Sequence, residues 1–215
     1  MKKTLIFLFA AVTTLSFQSC QKDDPIAEID QEEVGTATII FTEVKREAHD
    51  DHFHYEDFAG ADSDTVKFTP APNGQLLPPV GAHLHLEKGK TYRVSLQSTD
   101  FAGRRSEQTF VSRDDIHQVF FTANPATEIS TFDYVYADKN AAGQNVNVGV
   151  TGYMTVLETS STFVMRYVMR HLNPGVKANI TAADWNNANF LNFAGATDLD
   201  LSFEMHFVDG AGHDH

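Results

Sequence analysis

Between residues 197 and 208 apolar and polar residues alternate without a break. Leu199, Leu201, Phe203, Met205 and Phe207 fall on one side, and Asp198, Asp200, Ser202, Glu204 and His206 on the other. A repeat of two is the mark of an extended strand, whose successive side chains point to opposite faces. One buried face and one wet face is the habit of antiparallel sheets. Residues 90–99 repeat the pattern, with Tyr92, Val94 and Leu96 against Arg93, Ser95 and Gln97. Stretches 36–44, 116–122 and 131–137 read the same way, and 145–157 and 161–172 read as two long strands joined through Glu158-Thr159-Ser160. Helix is scarce: Thr181-Ala182-Ala183-Asp184 has the form of a capping box with Asp in place of Glu, which predicts a short helix around Trp185. Pro78-Pro79 and Asn173-Pro174-Gly175 mark loops. About ten strands over roughly 180 residues predict an all-β, antiparallel β-sandwich. One large sandwich is favoured over two Ig-like units, because the second half offers too few strands to close a domain alone.

The N-terminus predicts where the chain resides. Met1-Lys2-Lys3 is a short cationic start, followed by an apolar run from Thr4 through Phe17. That run is too short to cross a ~30 Å hydrocarbon core comfortably, which takes about 20 residues, and it has the layout of an export signal. Cys20 is the only cysteine, preceded by the small Ser19, and it stands where cleavage leaves it as the first residue of the mature chain. Leu15 lies further back than a lipobox usually places it. The expectation is an acylated Cys20, which leaves no thiol for a disulfide or a thiolate metal site. The expected organisation is a signal peptide over 1–19, a lipidated acidic tether over 20–34, the sandwich over 35–212 and a His-rich tail over 213–215. Residues Cys20-Gln21-Lys22-Asp23-Asp24 resemble the surface-export signal of Bacteroidota lipoproteins, in which a lysine and acidic residues follow the lipidated cysteine. The resemblance implies the outer face of the outer membrane and assigns Lys22, Asp23 and Asp24 to the signal.

The chain carries 29 acidic and 16 basic residues, a net charge of −13. Loss of Lys2 and Lys3 with the signal takes it to about −15, a balance unsuited to phosphate backbones. Nucleic acid is thereby a poor partner; a cation or a basic protein suits the surface better.

Histidine supplies the candidate chemistry. Three His-x-His elements occur: His52-Phe53-His54, His83-Leu84-His85 and the terminal His213-Asp214-His215. On a strand, residues i and i+2 share a face roughly 6.7 Å apart, and two imidazoles leaning together can share an ion at ~2.0–2.1 Å per bond. The expected metal ligands are His52, His54, His83 and His85, a closed set if their strands are neighbours. Phe53 and Leu84 are expected to turn into the core, and His49, His213 and His215 to act as auxiliaries. Zn²⁺ is favoured, with Cu²⁺ or haem as alternatives, since imidazole serves both ions and no thiol is present. His117 and His171 each read more readily as hydrogen-bonded structural histidines.

The stretches around His117 and His171, with the 198–207 strand, resemble uncharacterised β-rich Bacteroidota lipoproteins associated with TonB-dependent transporters. The resemblance implies a surface lipoprotein that works beside such a transporter and brings no activity with it. The histidine pairs add the expectation of a protein that binds a transition metal or a metal-containing ligand and assists uptake, not an enzyme. A structural or adhesive sandwich with incidental histidines is the alternative. His-Phe-His followed by His-Leu-His is also faintly similar to the zinc strands of α-carbonic anhydrases, which makes a zinc enzyme a third reading. No nucleophile elbow, P-loop or dinucleotide fingerprint is present.

Overall fold

A computed structural model describes residues 34–210. In chain order the strands are β1 (Thr36–His49), β2 (His52–Glu56), β3 (Ser63–Pro70), β4 (Leu76–Leu77), β5 (His83–Glu87), β6 (Thr91–Thr99), β7 (His117–Asn124), β8 (Phe132–Tyr136), β9 (Asp138–Lys139), β10 (Asn145–Val146), β11 (Thr151–Val156), β12 (Phe163–Leu172) and β13 (Gly195–Val208). The larger sheet has the order β4-β3-β1-β6-β11-β8, with β2 paired to β1; the smaller has the order β5-β13-β12-β7. The all-β sandwich expected from the alternation is the fold found.

The inner faces meet through aromatic side chains. Phe41 and Phe68 of the larger sheet approach Phe203 of the smaller at 6.1 and 6.0 Å between ring centroids, and Phe132 approaches Phe207 at 5.8 Å. All five are buried in one continuous core. At one edge the backbone ties the sheets together: the Val148 carbonyl accepts from the Val119 N–H of β7, and the Val150 carbonyl accepts from the Leu96 N–H of β6. This crossing breaks the single strand expected over 145–157 into β10 and β11. It turns at Gly149, whose φ of +102° suits glycine; a Cβ there would also lie 2.6 Å from the Val119 Cβ.

Three features depart from the simplest two-faced pattern. First, β5 runs parallel to β13, the one parallel pair among the described strands. Second, the outer face of β7 and β12 is not wet. Phe120, Val168 and Leu172 pack under Ile180 and Phe190 of the segment that follows β12, with Phe120 stacked on Phe190 at 5.4 Å. That cover accounts for the uninterrupted burial of residues 117–121. The covering segment includes the expected short helix, a 3₁₀ turn over Ala182–Asn186, where the Asp184 carboxylate accepts from the Thr181 N–H and hydroxyl at 2.8 and 2.9 Å. Third, a short helix absent from the sequence reading, α1 (Glu107–Ser112), places the buried Phe110 against the mouth of the core.

Candidate metal centre

His117 begins β7 directly opposite His171 of β12. In antiparallel pairs, residues in register share a face, and here that face is the inner one, at the end of the core. His117 is fully buried, and its ring meets Phe110 edge-on at 5.2 Å.

The third group arrives by an irregularity. Along the β12–β13 ladder, Met169 pairs with Leu199 but Arg170 pairs with Thr197, so Asp198 is the extra residue of a β-bulge. Strict alternation puts Asp198 on the wet face with Asp200 and Ser202. The bulge instead turns it toward the histidines, the kind of re-aiming that bulges perform beside functional sites. The buried Arg170 holds the bulged end in place, donating to Thr197 Oγ1 at 2.7 Å and to the carbonyls of Phe193 and Gly195 at 3.1 and 3.0 Å.

Asp198 Oδ2 lies 3.1 Å from His117 Nε2 and 3.5 Å from His171 Nδ1. One ligand atom from each of the three residues falls within 4.8 Å of the others. In a tetrahedral zinc site with 2.0–2.1 Å bonds, neighbouring ligand atoms stand roughly 3.3 Å apart, so two of the three edges already have the required length. His117 Nδ1 lies 3.1 Å from the Arg113 carbonyl oxygen, which can only accept. A neutral imidazole that gives Nδ1–H to Arg113 turns the Nε2 lone pair toward a carboxylate oxygen. A cation placed between them satisfies both, and a metal-bound histidine that donates its second N–H to a backbone carbonyl is the usual supporting arrangement. The Asp198 side chain is 12 % exposed and that of His171 29 %, and Asp198 lines a cleft of about 200 Å³ with Val34, Gln75, Leu76 and Thr197. The site is therefore sheltered yet reachable.

Burial shifts two groups nearby. Lys177 donates to the Asp114 carbonyl at 2.5 Å and also to the His117 carbonyl; burial pushes its ammonium down to about 8. Asp138 is pushed up to about 6 by burial, against hydrogen bonds to its carboxylate from the Gly149 and Thr151 N–H groups at 2.6 and 2.8 Å.

The ligands expected from the sequence fall into two other clusters. His49, His52 and His54 cap the β1–β2 hairpin, which closes through Asp50 and Asp51 with Asp50 at φ +45°. The Nε2 atoms of His52 and His54 lie 3.1 Å apart, and the Asp51 carboxylate accepts from His52 Nδ1 at 3.1 Å. The His49 ring lies 5.0 Å from that of His54. His83 and His85 touch edge-on at 4.6 Å on β5. Because β2 pairs with β1 and β5 with β13, in different sheets, the two pairs are not on neighbouring strands and do not build a shared site by strand pairing. Leu84 is buried as expected, but Phe53 is 44 % exposed. The hairpin projects past the sandwich, so Phe53 has no core to enter and instead lies under the Arg46 guanidinium at 3.5 Å.

Cys20, Lys22, Asp23, Asp24, His213 and His215 lie outside the described residues. Among those described, no helix is long and apolar enough to cross a membrane. His117 and His171 carried no motif in the sequence. The missing signal was Asp198, whose place in a clean alternation concealed the bulge. Comparison with protein-family models, with curated proteins and with solved structures finds no match.

Proposed function

We propose that this chain is a lipid-anchored protein of the outer-membrane surface that captures a divalent transition metal, zinc foremost and copper as the alternative, beside a TonB-dependent transporter. The observation that carries the metal reading is the convergence of His117, His171 and Asp198 from three adjacent strands, with separations of 3.1 and 3.5 Å about one carboxylate oxygen. Two imidazoles and a carboxylate form a borderline donor set that suits Zn²⁺ and Cu²⁺ and disfavours Ca²⁺ or Mg²⁺. Support for the location is the single cysteine behind an export signal and the Lys22-Asp23-Asp24 stretch that follows it. The reading is one of binding, not turnover, because the cleft that Asp198 lines is small, at about 200 Å³.

The test is calorimetric titration of the untagged, detergent-solubilised full chain with Zn²⁺. His213→Ala and His215→Ala are introduced to silence the tail. Zinc binding is expected, with one equivalent lost in Asp198→Asn and in His171→Ala. Absence of zinc binding by the parent protein overturns the proposal.

A further inference from the structure

We infer that the outer face of the β5–β13 strand pair is a second transition-metal site, built by His83, His85, His206 and Glu204. It lies apart from the His117 centre and does not need it.

The parallel pairing of these strands puts His85 opposite His206 and His83 opposite Glu204. Residues i and i+2 of each strand share a face, so the four side chains stand at the corners of a quadrilateral. Its sides are about 4.8 Å across the strands and roughly 6.7 Å along them. The rings already gather: His83 and His85 are 4.6 Å apart, His85 and His206 5.3 Å, both edge-on. Below them Leu84, Leu86, Met205 and Phe207 are buried in the core, which holds both backbones still. His83 Nδ1 lies 3.3 Å from the Gly81 carbonyl oxygen. Donation of Nδ1–H there leaves Nε2 as the lone-pair nitrogen, the supporting geometry of a metal-bound histidine.

Three imidazoles and one carboxylate with no thiolate form a set for Zn²⁺, Ni²⁺ or Cu²⁺. The two sites are separate in space. Asp198 is turned inward by the bulge whereas His206 faces out, and the eight steps along β13 from one to the other span roughly 26 Å. His83 is exposed and His85 and His206 are half-buried, so this site faces solvent directly.

The experiment uses the full chain carrying His213→Ala and His215→Ala, with Zn²⁺ uptake measured against a chromogenic chelator. Adding His85→Ala and His206→Ala is expected to remove one zinc equivalent. Asp198→Asn removes a different equivalent, and the combined variant loses both. Full uptake by the His85/His206 variant overturns this inference and leaves the His117 centre standing. Full uptake by Asp198→Asn overturns the His117 centre and leaves this one. Without relying on variants, long-range ¹H–¹⁵N spectra of the histidine rings are expected to show His83, His85 and His206 shifting together as Zn²⁺ is added; rings that stay unmoved at saturation also overturn the inference.

Discussion

His117 stands directly opposite His171 across the β7–β12 pair, their rings 4.9 Å apart and edge-on, and the carboxylate between them is supplied by a bulge in the next strand. Two imidazoles in register on adjacent strands are held by the sheet itself, so their separation needs no loop to set it. Asp198 depends on the bulge, and the bulge depends on Arg170. The proposed centre thus joins two imidazoles fixed by ladder geometry to one carboxylate fixed by a local irregularity.

Asp198→Asn is expected to leave the fold intact, because an amide fills the same volume. In the metal-free protein it puts an amide N–H where a carboxylate oxygen faced the His117 Nε2 lone pair, so no loss of stability is expected without metal. With His85 and His206 replaced by alanine to silence the second site, zinc at about 100 times its Kd stabilises the parent by roughly 2.7 kcal/mol. Urea unfolding with and without zinc should show that increment vanish in Asp198→Asn. An undiminished increment counts against the centre.

Zinc affinity is expected to fall steeply as pH drops from about 7.5 to about 5.5, since imidazole binds metal only in its neutral form and protons compete for it. Calorimetry across that range reads the effect directly. A flat profile means that carboxylates alone hold the ion.

Asp138 gives a pH dependence of the opposite sense to ordinary acid unfolding. Its carboxyl is raised from 3.8 to about 6 in the folded chain, so between about pH 4 and 6 the folded state holds this proton and the unfolded state does not. Stability from this group is therefore greatest below about pH 4 and lost as pH rises through 6, by about 3 kcal/mol in all. Asp138→Asn cannot titrate. The stability difference between parent and variant, followed by urea unfolding from pH 4 to 7, is expected to change by that order in favour of the variant as pH rises. A pH-independent difference refutes the assignment.

Gly152 is required by close approach. A Cβ there would lie 2.1 Å from the Tyr134 hydroxyl and 2.3 Å from its ring, and Tyr134 is buried among Phe121, Tyr136 and Trp185 with nowhere to swing. Gly152→Ala should destabilise by about 2–3 kcal/mol. The Tyr134 hydroxyl is itself buried without a hydrogen-bond partner, so Tyr134→Phe is expected to be neutral or stabilising by up to about 1 kcal/mol. Denaturant midpoints measure both; a tolerated alanine or a costly phenylalanine contradicts the packing described.

Cys20→Ala is expected to release the protein from membranes, because its anchor is proposed to be acyl chains alone. Retention after a high-salt wash tells against the lipid. Replacing Lys22, Asp23 and Asp24 by alanine should keep the anchor and reduce cleavage by protease added to intact cells. Unchanged cleavage tells against surface export.

Alternation along the chain shows which segments become strands and which face of each is buried. The period-two run ending in Phe203, Met205 and Phe207 dictates a strand with one buried face wherever it is placed, and strand β13 covers it as read. Thr181 and Asp184 likewise settle their turn locally, because both partners of the cap lie within three residues. What pairing decides was beyond local reading. His83 and His85 could be seen to share a face, but not that a parallel neighbour would bring His206 beside them. Nor could alternation reveal that one extra residue in the ladder turns Asp198 inward to meet His117 and His171. Side-chain direction along a strand is set by backbone geometry within a few residues. Register, strand order and bulges are set by which distant segments share a core, and only the tertiary structure contains that information.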